Sequence, residues 1–229
     1  MRNDPSTVLS NARENFRAQD YESALENYRW FYENSLSVDK SYYGVRLSFC
    51  LGEWADLGQA YPPAKIALNS LKETVLSEFK TSRSMEAFHE FASICDALLC
   101  PIETYQEFIL IQDKEISAQL FKFIHEYCAS NGMWDICREY IGDGLQQYQQ
   151  NLEIFDHMHS FANQKTGDSR ESLIKGAKEM FRREVSWRLA MLLHVNAHAE
   201  YEIAITKLET DLKIRGCDEV FHEIIGKSN

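Results

Sequence analysis

A chain of 229 residues with 45% apolar and 26% charged side chains is long enough to bury a substantial core. Only 10 Gly and 4 Pro punctuate it, and no Val/Ile/Thr run alternates with period 2, which argues against a β-rich fold. A formal charge of −11 repels phosphate backbones and excludes general nucleic-acid binding. The start, Met1-Arg2-Asn3-Asp4-Pro5, has no apolar core of a signal peptide, and no apolar run approaches a membrane span. Neither membrane insertion nor export is expected, and a cytoplasmic location is the default. The cysteines (Cys50, Cys95, Cys100, Cys128, Cys137, Cys217) form no C-x-x-C pair and read as reduced core side chains.

In chain order, an apolar helix over Val8–Ala18 is followed by a polar turn and a second helix that opens on Tyr21, Ala24 and Tyr28. Tyr43–Leu57 and then Tyr61/Ala64/Leu68 repeat this plan one step of 40 residues later. A weaker copy places Pro101, Thr104 and Phe108 in the same three slots. Gln119–Ala129 precedes Trp134/Cys137/Ile141, and Val185–Asn196 precedes Tyr201/Ala204/Leu208. Between these last two copies lie an apolar stretch, Leu152–Ala162, and a further helical stretch from Ser169. The three slots, at i, i+3 and i+7, share one helix face. The aromatic plugs a crevice, and the small residue lets a neighbouring helix approach. One hairpin cannot bury its apolar face alone, but a stack of hairpins can.

Gln19-Asp20-Tyr21-Glu22-Ser23-Ala24-Leu25-Glu26-Asn27-Tyr28 resembles the second helix of a tetratricopeptide repeat. Leu51-Gly52 with Ala60-Tyr61 and Ala64, and Ala199-Glu200-Tyr201-Glu202-Ile203-Ala204, are similar in the same way. The resemblance implies an all-α, right-handed solenoid of about six hairpins, a single domain over 1–229. First helices would line a concave groove that holds a peptide or helix of a partner protein. In that register the groove carries Arg13, Phe16, Arg17, Arg46, Phe49, Glu53, His89 and Lys122, with Asp56, Glu86 and Glu126 beside them. Arg13, Arg17 and Arg46 gather positive charge near Phe16 and Phe49, which suits an acidic or carboxylate-bearing peptide. The last amphipathic segment, 217–226, presents Val220, Phe221, Ile224 and Ile225 on one face and reads as a capping helix.

A second basic feature lies between Lys165 and Arg188, where Lys175, Lys178 and Arg182 form a stripe along one helix face. It reads as a solvated face or as a dock for an acidic segment. Two enzyme-like features compete with the adaptor reading. His157 and His159, and His194 with His198 at a four-residue spacing, offer imidazoles for a small metal-dependent enzyme on a helical scaffold. However, His157 and His159 point to different sides of a helix, and the second pair spans a turn. No Walker loop, G-x-S-x-G elbow or Cys–His motif is present. The expectation is therefore a non-enzymatic protein-binding scaffold, with no catalytic residue, cofactor or metal. A dedicated inhibitor or immunity-type partner is the other class suited to a small, acidic, helical chain.

Overall fold

The computed structural model describes residues 4–141 and 144–226, with the side chain of residue 145 also outside the description. Helix covers 85% of the described residues, and no strand occurs among them. No helix among them is long and apolar enough to cross a membrane. The helices gather into two compact units, Met1–Tyr127 and Cys128–Asn229.

The first unit opens with α1 (Pro5–Arg17) and α2 (Tyr21–Val38). Asp4 caps α1 by accepting from the Thr7 amide at 3.0 Å, and Pro5 occupies the first turn, where its missing N–H costs nothing. Next comes a continuous helical run: a 3₁₀ turn (Lys40–Tyr42), the short α3 (Tyr43–Val45), a π turn (Arg46–Cys50) and α4 (Leu51–Ala60). After it stand α5 (Pro62–Ser82), α6 (Met85–Ala97), α7 (Pro101–Phe108) and α8 (Lys114–Leu120). A 3₁₀ turn (Phe121–Phe123) leads to α9 (His125–Ser130), within which the two units divide. Successive helices pack on one another, α1 on α2, α4 on α5, and α6 on both α5 and α7.

The repeated slots carry this packing. Ala24, Ala64 and Thr104 stand 40 residues apart in sequence and are at most 2% exposed. Tyr28, Leu68 and Phe108, one turn further on, are buried as well. Trp54 donates its indole N–H to the carbonyl of Ala64 at 3.0 Å, tying α4 to the small-residue position of α5. The core continues through Phe31, Leu51, Phe91 and Ile94.

The second unit contains α10 (Trp134–Tyr140), α11 (Gly144–Ala162), α12 (Asp168–His194), α13 (His198–Ile214) and α14 (Asp218–Ile225). Here the sequence expectation needs correcting. A helix from Ser169 and a separate one over Val185–Asn196 are in fact a single helix of 27 residues. Gly176 is the only helix breaker between Ser169 and His194, and one Gly costs too little to end a helix packed along both flanks. α12 therefore packs on α11, α13 and α14 together, and Phe155, Ala177, Phe181, Leu208 and Leu212 form the core between them. Within that core α14 buries Val220, Phe221 and Ile224, while His222 and Glu223 face solvent as the pattern implied.

Among the described residues one turn geometry recurs five times. The amides of Asp20, Cys100, Met133, Ala197 and Cys217 each bond the carbonyl five residues earlier, at 2.8–3.0 Å. The residue before each of them is left-handed: Gln19, Leu99, Gly132, Asn196 and Gly216, with φ of 57–67°. This is the Schellman closure of a helix, and it favours Gly at the left-handed position. Leu99 meets the steric cost of that conformation with its side chain 86% exposed. Leu99→Gly is expected to stabilise the chain by about 0.5–1 kcal/mol, after the larger entropy of Gly in the unfolded chain is counted. A urea midpoint that falls instead would mean that the exposed Leu99 side chain makes contacts that matter.

Candidate partner-binding face

The groove residues fall into three groups. In the first, Arg13 and Glu53 join α1 to α4: Nε and Nη2 of Arg13 donate to the carboxylate at 2.8–3.0 Å. The Tyr28 hydroxyl adds a longer bond to the same carboxylate at 3.4 Å. Both side chains are partly exposed, so the bridge chiefly fixes geometry. Arg17, one turn beyond Arg13, is exposed and forms no ion pair with a described residue. Phe16 is half-buried against Tyr21, with ring centroids 6.0 Å apart.

The second group overturns an expectation. Arg46 is not a groove wall but is 8% exposed. Its Nε donates to the Tyr32 carbonyl at 2.7 Å, Nη1 and Nη2 grip Glu90 at 2.7 and 3.0 Å, and the guanidinium lies 3.9 Å over the Tyr32 ring. Tyr32 also donates its hydroxyl to Glu90 at 2.7 Å. Each of the three guanidinium nitrogens is engaged inside the fold, which leaves little of this cation to face a partner. Arg46 falls on the stripe of Cys50, Trp54 and Leu57, which is buried at ordinary helical spacing, whereas Phe49 falls on the stripe of Glu53 and Asp56 and is 62% exposed.

The third group is an aromatic ladder across three elements. The Tyr43 hydroxyl and Nδ1 of His89 lie 2.9 Å apart, and the His89 ring stacks on Phe123 with centroids 4.4 Å apart and an interplanar angle of 20°. Lys122 places its Nζ 4.9 Å above the same Phe123 ring. Burial, reinforced by the Lys122 ammonium, lowers the His89 pKa and keeps the ring neutral near pH 7. Sequence reasoning named His89 and Lys122 but not Tyr43, Phe123 or Glu90. An aromatic at a core-compatible spacing carries no local mark of stacking.

In the second unit the basic stripe already has occupants. Lys178 pairs with Glu219, and Arg182 with Glu223 at 3.4 Å, both on α14. Lys175 pairs only loosely with Glu179, at 3.8 Å within α12. The acidic segment that meets the stripe is thus the chain's own last helix. The histidines do not converge. His194 stacks on Trp134 (5.1 Å, 9°), His159 lies on Phe155, and His157 and His198 are exposed. None of the four belongs to a group of three or more side chains spaced to hold a metal ion among the described residues.

Comparison with protein-family models, curated proteins and solved structures finds no match. What the chain does must be argued from the face itself. That face offers an exposed aromatic and an unpaired arginine, each one turn from a rigid inter-helix bridge.

Proposed function

We propose that the chain is a non-enzymatic protein-binding module whose first unit grips an acidic segment of a partner protein across α1, α4 and α6. In this reading the hairpins stack in the tetratricopeptide manner, their first helices line the face, and α14 caps the far end of the second unit. The observation that carries the proposal is Phe49. A phenylalanine 62% exposed is held on a π turn whose neighbours are locked by the Arg46–Glu90 and Arg13–Glu53 bridges. Rigid support lowers the entropy lost on docking, and aromatic and arginine side chains are among the types most often dominant in binding energy. Arg17 supplies the charge that selects an acidic segment, against a chain whose net charge would otherwise repel it.

The test compares the native protein with the double variant Phe49→Ser, Arg17→Glu as bait in an extract of its source. A partner retained by the first and lost by the second is then titrated directly. The expected result is binding weakened about tenfold or more, with an unchanged melting temperature. Equal binding by both proteins rejects this face.

A further inference from the structure

The small-residue slot is sealed in four of the five hairpin copies and open in the last. Ala24, Ala64, Thr104 and Cys137 are at most 2% exposed. Ala204, in the same slot of α13, is only partly buried and lines a cavity of about 610 Å³. Val185, Leu189 and Leu192 of α12 and Ile203 of α13 supply apolar walls, with Tyr148 of α11 at one side. That volume is within the range of small-molecule sites, and the lining has their usual character, apolar with a few polar groups.

The polar groups are mostly cationic. Arg188 belongs to the lining and is largely buried. It donates through Nη1 to the Glu184 carbonyl at 2.6 Å and through Nη2 to the Gln147 side-chain oxygen at 3.1 Å. Its Glu184 carboxylate contact is longer, at 3.3 Å, and its Nε–H is buried without an acceptor. Lys207, also in the lining, lies 3.2 Å from Asp211 and 5.6 Å from the centre of the Tyr148 ring. Arg138 and Glu200 close the set as a mutual pair at 2.7 Å. Among the described residues, Arg138, Arg188 and Lys207 are the cations of the lining; Glu200 pairs with Arg138 inside it, and Glu184 and Asp211 pair with Arg188 and Lys207 from its edge.

We propose that this cavity binds a small amphipathic monocarboxylate, its aliphatic chain against Val185, Leu189, Leu192 and Ile203 and its carboxylate received by Arg188 and Lys207. The planar guanidinium suits a carboxylate acceptor, and the helix walls suit an unbranched chain. The site lies in the second unit and does not depend on the partner-binding proposal for the first.

The experiment is a calorimetric titration of the full chain with decanoate, decanol and decyltrimethylammonium, each below its micellar concentration. One decanoate per chain is expected. Decanol should bind about tenfold more weakly, because it lacks the charge-assisted bonds, and the ammonium should not saturate. Ala204→Phe fills the cavity and should abolish decanoate binding while leaving the melting temperature unchanged or raised. Lys207→Met, a partly exposed position that does not threaten folding, should weaken decanoate about five- to tenfold and leave decanol unaffected. Decanoate binding no tighter than decanol, unsaturable uptake, or equal affinity in Lys207→Met overturns the proposal. Full binding by folded Ala204→Phe overturns it too.

Discussion

Arg46→Met is expected to lower the stability of the first unit by about 3 kcal/mol, far more than the loss of a surface charge. Met keeps most of the aliphatic volume, so the effect isolates the guanidinium. Its removal strands three groups. Glu90, with a side chain 19% exposed, loses both bonds from the guanidinium, the Tyr32 carbonyl loses its donor at 2.7 Å, and the Tyr32 ring loses the cation stacked above it. The penalty comes mainly from the uncompensated carboxylate, so Arg46→Met combined with Glu90→Gln should recover much of it. Urea unfolding measures this as a shift in midpoint at constant slope. A loss below about 1 kcal/mol would place the pair among ordinary surface bridges. The result also separates fold from function at this residue: any loss of partner binding in an Arg46 variant is to be read through stability first.

A chain ending at Arg215 is expected to lose on the order of 5 kcal/mol from the second unit, or to aggregate. The deletion removes Val220, Phe221 and Ile224, all buried, and uncovers the Phe155, Phe181 and Leu212 surfaces that they pack on. Burial of such side chains is worth ~1.5 kcal/mol or more each. The two ion pairs from α12 to α14 have exposed partners and add little. The control is therefore Glu219→Gln with Glu223→Gln, which should cost less than about 1 kcal/mol. If the truncated chain melts like the full one, the apolar face of α14 contributes nothing to the second unit.

The parts of the fold that the sequence revealed are those governed by local spacing. The slots at Ala24, Ala64, Thr104 and Cys137 were readable because a buried small residue must recur on one face of each second helix. The face of α14 was readable for the same reason. What was not readable depended mostly on distant partners. Arg46 resembles any helical arginine until Glu90, 44 residues away, comes to meet it. The Lys175–Lys178–Arg182 stripe was visible as charge, but its neutralisation by Glu219 and Glu223 is a tertiary fact. The single long α12 is hidden by the repeat pattern, which implies a turn where the residues between Ser169 and His194 supply no stop.

The length of α12 also bears on how the protein comes apart. In the first unit each helix leans chiefly on its neighbours in sequence, so opening can begin at an end and travel, with amide exchange graded from helix to helix. In the second unit one helix of 27 residues touches α11, α13 and α14, and none of these can leave without exposing a face of it. Its amides should exchange as one block, at the rate set by complete opening of that unit. The two halves of the chain thus have different grain: one can fray by steps, the other opens whole or stays shut.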